Sequence, residues 1–377
     1  MVRPSAPRPP RPRRSDPAAL PPDPCIRALQ RAADLAVLAP SVHNTQPWRL
    51  VMRLDRMELW ADRSRQLSAL DPHGRALVQS VGAALLDARV ALATEGWAAE
   101  VERLPRPEDP DLLAVLRPVA GPADPVLAAL EPAVARRHTN RRRFRADLVP
   151  DDVLRRLAGH AAVEQTALVS VLSVAHRQLV TGLTREADEE QNASAAYRAE
   201  LVRWTTRSAS AGEGVPPSAV PHIDAPRRGD LPLRDFDTQG AGALPWDAGA
   251  PSDHTLVLLA SDDDDATAWL RSGEALQRVL LDATALGWVA SPMTQAIEVP
   301  RTRDRLRAAV TGDAYPQMLL RIGHADPTAD VPRRPRDAAV TNRWRRPDMP
   351  PVHEQPCQPD QGPRHPVSDG RGGTTWV

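Results

Sequence analysis

The stretch VLAPSVHNTQPWRLVM, residues 37–52, decides how the chain is read. It begins as the end of an apolar helix and finishes as the start of a strand. Pro40 disfavours helical backbone at Ala39 and so ends the helix. Ser41, His43, Asn44, Thr45 and Gln46 then crowd five polar side chains into one connection before Pro47 and Trp48 open the strand. Short side chains such as Ser41 and Asn44 bond nearby backbone or an incoming polar ligand. Trp48 adds a large flat surface. Two readings stand: a well-capped helix-to-strand loop, or part of a binding site.

Outward from this stretch, hydrophobic periodicity gives a first half with a helix at 25–38, strands at 48–54 and 57–61, and a long helix at 75–95 closed by Gly96. Short strands near 99–104 and 112–117 and a helix at 125–136 complete it. The second half, from 137, carries helices at 151–159, 175–188, 195–205, 266–286 and 301–310. Its strands are at 167–174, 255–260 and 317–323. The segment 208–252 is rich in Gly, Pro and Ser without a period, and a loop of that length is a functional lid or disordered. Residues 1–22 and 343–377 are rich in Pro and polar residues and are expected to be disordered. Folded halves at 23–136 and 137–342, with helices and strands interleaved, predict an α+β fold.

With 377 residues the chain has ample length for a large core. Acidic and basic residues number 48 each, so the overall balance favours neither nucleic acid nor a membrane surface. No apolar run approaches the ~20 residues that span a bilayer, and no secretory signal is visible, so the expected location is cytoplasmic. Cys25 and Cys357 make neither a disulfide framework nor a metal site. The histidines have no ligand spacing, and no metal is expected. All the basic residues are arginine. The absence of lysine excludes P-loop nucleotide binding, Schiff-base cofactor chemistry and Ser-Lys nucleophiles.

Three further clusters carry chemistry. ARRHTNRRRF, 135–144, sets five arginines around His138, Thr139 and Asn140; forked guanidiniums with a hydroxyl suit a phosphate, and the plain alternative is a solvated basic turn. LGWVASPMTQ, 286–295, follows a long apolar helix that ends at Gly287. VPRRPRDAA, 331–339, presents paired arginines between prolines. SDDDDAT, 261–267, reads as N-cap and first-turn acids for the helix at 266–286.

Together these residues resemble the flavin-dependent nitroreductase superfamily. APSVHNTQPWRL resembles its A-P-S-x-x-N-x-Q-P-W motif. RRHTNRRRF is similar to its R-x-S-x-R/K-x-F motif, with one extra residue before Phe144. LGWVASPMTQ resembles the segment against the flavin ring, with Gln295 where many relatives have Gly. PQMLLRIGHADPTADVPRRP resembles the closing strand and basic phosphate segment. The motifs are divided between the halves, each present once, which resembles the actinobacterial Acg-like branch. The resemblance covers roughly 25–342.

This resemblance implies a three-layer α/β/α fold, with two degenerate halves fused as a pseudo-dimer that retains one site. It implies that Arg137, Thr139 and Arg141 hold the FMN phosphate, assisted by Arg333 or Arg334. Pro40, Ser41, Val42 and Asn44 would line the flavin from the other half. Pro292, Met293 and Thr294 would face its ring, with the Thr294 N–H near N5. No catalytic side chain is required. The implied activity is hydride transfer from NAD(P)H through FMN to a nitro or quinone-like acceptor; the alternative is a silent, flavin-sequestering protein with 195–252 as a lid. The expected partner is a small-molecule acceptor, with no nucleic acid and no membrane, and the chain is expected to be a monomer or weak homodimer.

Overall fold

A computed structural model of the chain describes residues 23–141, 144–145, 147–207, 209–216, 219, 234, 236, 255–326, 328, 331–343, 366–368 and 374–376. The first half opens with helix α1 (Pro24–Ala36). Asp23 caps it by accepting from the Cys25 N–H at 2.8 Å, and Pro24 occupies its first turn. Strands β1 (Trp48–Met52) and β2 (Met57–Ala61) form a hairpin, followed by helix α2 (Arg75–Thr94) and strands β3 (Ala98–Arg103) and β4 (Leu112–Val119). The helix expected at 125–136 is two short pieces, α3 (Pro125–Ala128) and α4 (Glu131–Val134). Pro132 lacks an N–H and cannot continue a helix, but it fits the first turn of a new one.

The second half runs α5 (Asp151–Val163), β5 (Ala167–Ser170), α6 (Val174–Ala193), α7 (Ala195–Thr205), β6 (Thr255–Ser261), α8 (Ala266–Ala285), β7 (Val289–Pro292), α9 (Gln295–Glu298), α10 (Pro300–Leu306) and β8 (Tyr315–Gly323). The acids before α8 do what the sequence suggests: Asp265 caps the helix by accepting from the Ala268 N–H at 2.8 Å. The helix expected at 301–310 ends earlier, at Leu306, and turns through a wider coil at Arg307–Thr311. The stretch after Gly287, to which the sequence assigns no strand, contains β7. Among the described strands it pairs with β8 alone, and a proline is tolerated at such an edge.

Two sheets result. One is β5-β6-β8-β7, antiparallel throughout. The other is β3-β4-β2-β1-β9, in which β9 (Val340–Asn342), following the short helix α11 (Arg336–Ala339), lies parallel to β1. The last part of the second half therefore crosses back and completes the sheet of the first. In the tail expected to be disordered, β10 (Pro366–Ser368) pairs with β11 (Thr374–Trp376); most other tail residues lie outside those described.

Helices α2 and α8 cross at the centre, and the crossing is reciprocal. A Cβ on Gly82 would lie 2.1 Å from the Leu270 carbonyl oxygen, and a Cβ on Gly273 would lie 2.1 Å from that of Gln79. Only glycine at both positions lets the backbones approach this closely. Helix α2 is long and apolar enough to cross a membrane, contrary to the sequence-based expectation that no run reaches that length. Yet 89% of its apolar window is buried inside the protein, as befits a core helix hydrophobic on all sides. Its buried polar residues, Gln79, Ser80 and Asp87, are therefore exceptions that need a reason.

Candidate functional site

The reason lies partly in a cavity between the halves. The first half contributes Pro40, Ser41, Val42 and His43, together with Arg75, Gln79 and Ser80 of α2. The second contributes Thr139, Arg141, Leu276 and Leu280, and the run Ser291–Gln295 with Ile297 and Glu298. The space between them is ≈ 1130 Å³ with the open mouth included.

The loop at 41–46 is strained. His43, Asn44 and Gln46 have φ of 46°, 54° and 49°, a left-handed region that side chains with a Cβ seldom adopt. Ser41 Oγ accepts from the Gln46 N–H at 2.9 Å, and Ser80 Oγ accepts from the Val42 N–H at 3.3 Å. Asn44, expected to line the flavin, does not reach the cavity. Its amide donates to the carbonyls of Gly214 and Pro332, each at 3.0 Å. Gln46 donates to Gly212 O at 2.7 Å and accepts from the Arg334 N–H at 3.0 Å. Asn44 and Gln46 thus tie down two neighbouring segments, while Ser41 and His43 line the cavity.

The 137–144 segment lies along β7. Thr139 bridges to Ala290, and the Asn140 N–H donates to Ala290 O at 3.0 Å. Phe144 is buried against Gly323, with the Arg321 guanidinium 4.0 Å from its ring centre. Asn140 and Phe144 therefore anchor the segment that presents Thr139 and Arg141. Arg142 and Arg143, counted in the sequence cluster, lie outside the described residues.

The expected phosphate arginines fall into three environments. Arg141 reaches the cavity; its Nη1 is buried with no hydrogen-bond partner among the described residues. Burial and the nearby Arg234 push its pKa down to about 10. Arg137 and Arg333 lie behind, in each other's electrostatic field. Burial and Arg137 push Arg333 down to about 9, and burial lowers Arg137 while Asp87 opposes. The Nε atoms of both are buried and unpartnered among the described residues. Arg333 is also braced against backbone: Nη1 donates to Val331 O at 3.0 Å and Asn44 Oδ1 at 3.3 Å, and Nη2 to Leu38 O at 3.0 Å. Arg334 is otherwise committed: its Nη2 donates to Gln46 O at 2.9 Å and Trp48 O at 3.1 Å.

Pro292, Met293 and Thr294 line the cavity as expected. Gln295 also reaches it, with its amide donating to Asp188 at 2.8 Å. Most of the expected lid, 208–252, lies outside the described residues, but Arg234 and Phe236 are described and both enter the cavity. Arg234 is paired with Glu298 and donates to the Tyr197 hydroxyl at 2.9 Å. Phe236 meets His43 edge-on, with ring centres 5.2 Å apart, and lies 5.0 Å from the Arg141 guanidinium. Burial, then Arg234 and Arg141, hold His43 well below its usual pKa, so the ring is neutral. Its Nε2 lies 3.4 Å from Arg234.

Sequence reading assigned no role to Arg75, Gln79, Ser80, Arg234, Phe236 or Glu298. A signal existed for two groups. Arg75, Gln79 and Ser80 share one face of an otherwise apolar helix, at spacings of four and five residues. Phe236 is one of two phenylalanines in the chain, and the other is Phe144.

A "Putative NAD(P)H nitroreductase Rv3131" of Mycobacterium tuberculosis (strain H37Rv) is 38% identical over 321 residues, covering 82% of this chain and 90% of that protein. The "Putative NAD(P)H nitroreductase acg" of the same strain is 32% identical over 318 residues, covering 82% of this chain and 94% of that one. Among solved structures, the FMN-dependent nitroreductase NfnB of Mycobacterium smegmatis, in complex with NADPH, aligns at 19% identity and a TM-score of 0.36. The alignment covers 58% of this chain and all of that one. No family model matches the chain. The chain belongs to the nitroreductase superfamily, in its Acg-like branch.

Proposed function

We propose that the chain is an FMN-binding, NAD(P)H-dependent oxidoreductase. The observation that carries this reading is a set of buried cations, Arg141 at the cavity and Arg137 and Arg333 behind it. Among the described residues, Arg141, Arg137 and Arg333 each bury a guanidinium nitrogen with no partner. Burial lowers the pKa of all three; Asp87 opposes this only in part at Arg137 and Arg333, and no carboxylate opposes it at Arg141. Uncompensated buried charge costs several kcal/mol unless an anion accompanies it. A phosphate ester supplies that anion, and the apolar wall of Leu276, Leu280, Pro292 and Met293 suits a flat ring.

In this reading Arg137, Thr139, Arg141 and Arg333 hold the phosphate. Arg334 instead holds the 46–48 backbone in place. Pro40, Ser41 and Val42 would lie along the flavin, and Thr294 would present its backbone N–H to the ring. Bound there, FMN supplies hydride transfer from NAD(P)H to a nitro or quinone-like acceptor. The chain's residues bind, orient and enclose, and none is assigned as a proton donor or acceptor. The reciprocal glycines of α2 and α8 support an origin as a fused pair of subunits. The same reading places the chain in the cytoplasm as a monomer or weak homodimer.

Arg234 and Phe236 favour a second reading, in which the segment that carries them closes the acceptor side and the flavin is held without turnover. Visible absorption of the purified chain separates the two. A flavin band that bleaches with anaerobic NADPH supports the reductase. A band that persists in the native chain but bleaches in an Arg234→Ala/Phe236→Ala variant supports closure.

A further inference from the structure

Asp87 is a carboxyl that the reaction does not use. It sits in the middle of α2, fully buried, with no arginine in ion-pair contact among the described residues. Its hydrogen bonds come from one neutral group: the Gln277 amide on α8 donates to Oδ1 at 2.8 Å and to Oδ2 at 3.0 Å. The other end of that amide, Gln277 Oε1, is buried without a partner among the described residues. The pair therefore has a second arrangement. With Asp87 protonated and the amide turned over, the carboxyl O–H donates to Oε1, and Nε2 takes the unpartnered place instead.

The charged groups that act on Asp87 are Arg137, just after α4, and Arg333, from the segment before α11. Other charged residues on the packed elements are engaged elsewhere. On α8, Glu274 is paired with Arg89 and Arg103, and Arg278 with Glu164. On α1, Arg31 is paired with Glu131, and Asp34 with Arg336. Among the described residues, Asp87 is thus the carboxylate that acts on Arg137 and Arg333, two of the three arginines assigned to the phosphate. Burial raises its pKa to about 7 against the opposing pull of Gln277, Arg137 and Arg333. An arriving dianion takes over the neutralisation of those arginines and repels the carboxylate.

We propose that Asp87, with Gln277, is a proton-linked counter-charge for the Arg137–Arg333 anion site: ionised while that site lacks an anion, and protonated when a phosphate monoester binds. Binding then draws one proton from solvent onto Asp87, and affinity falls as pH rises. The inference rests on the reading that places the FMN phosphate at these arginines. It makes Asp87 a positioning residue for charge, since it touches neither substrate nor ring.

The test is calorimetric titration of the flavin-free full-length chain at about pH 8, where the ligand's own phosphate, with a pKa near 6, is already dianionic. FMN and riboflavin are each titrated in two buffers of different protonation enthalpy. The expected result is uptake approaching one proton per FMN and none with riboflavin, with FMN affinity falling by up to about tenfold per pH unit above neutrality. Asp87→Asn should bind FMN with no uptake and a flat pH profile. FMN that binds more tightly than riboflavin with no proton uptake by the native chain overturns the inference alone. That outcome needs no variant to fold. Equal affinity for FMN and riboflavin overturns the phosphate placement, and the inference with it. Absence of flavin binding overturns the proposed function itself.

Discussion

The α2–α8 crossing gives a prediction whose size follows from two distances. Gly273→Ala would set a methyl group 2.1 Å from the Gln79 carbonyl oxygen, and Gly82→Ala would do the same to Leu270. An ordinary carbon contact needs about 3.5–4.0 Å. Both obstacles are backbone atoms, so no side chain can turn away and the helices must part by more than about 1 Å. Overpacking of this kind costs ~1–3 kcal/mol, and more when backbone moves. Alanine returns at most ~1 kcal/mol of helix propensity. Each variant should therefore lose roughly 2 kcal/mol in urea denaturation. Gly159→Ala, in α5 with nothing within 4 Å of the new methyl group, is the control and should gain ~0.5–1 kcal/mol. Because Gln79 also lines the cavity, Gly273→Ala should weaken FMN binding as well. If all three variants shift stability alike, or if Gly273→Ala binds FMN as the native chain does, the crossing does not set the spacing of the two halves.

Replacing Arg137 and Arg141 together by alanine should release FMN, since two charge-assisted contacts worth ~1.5–3 kcal/mol each are lost; flavin fluorescence after gel filtration reads this, and full retention would show the phosphate lies elsewhere. Phe144→Ala removes a buried ring that anchors the 137–144 segment and should cost ~3–5 kcal/mol in denaturation, with loss of flavin. Burial would raise the Asp264 pKa, but hydrogen bonds from Arg303 and Trp269, the Arg303 charge and Gln317 outweigh it and hold the carboxyl far below its usual range. A depressed carboxylate stabilises the fold above its unfolded pKa of ~3.9 and loses that contribution as pH falls. Asp264→Asn should therefore flatten the acid limb of a stability–pH curve below about pH 4, and an unchanged limb would refute the pairing.

Long helices and central strands were legible because their periodicity is strong and their ends carry clear signals. Asp265 caps α8, while Gly96 and Gly287, with φ of 83° and 86°, close α2 and α8. Short elements were not legible. β7 spans four residues, including a proline, and β9 forms only because β1 offers it an edge. Within the site, motif positions located the cavity walls at 40–42, 139–141 and 292–294. They did not distinguish side chains that face a ligand from those that brace the backbone. Asn44 and Arg334 have the right chemistry for a ligand, yet both are used up on carbonyl oxygens. That choice depends on where 212–214 and 332–334 pass, nearly 170 and 290 residues away in sequence. Arg234 and Phe236 were equally hidden, because their places in the cavity follow from long-range contacts with Glu298, Tyr197 and His43.

The central claim, a flavin held between the halves and able to accept electrons, is tested most directly by the visible spectrum of the purified full-length chain before and after anaerobic NADPH. The account predicts a flavin band, present as isolated or after FMN is added, that bleaches on reduction. A chain that shows no flavin band even with FMN in excess would contradict it.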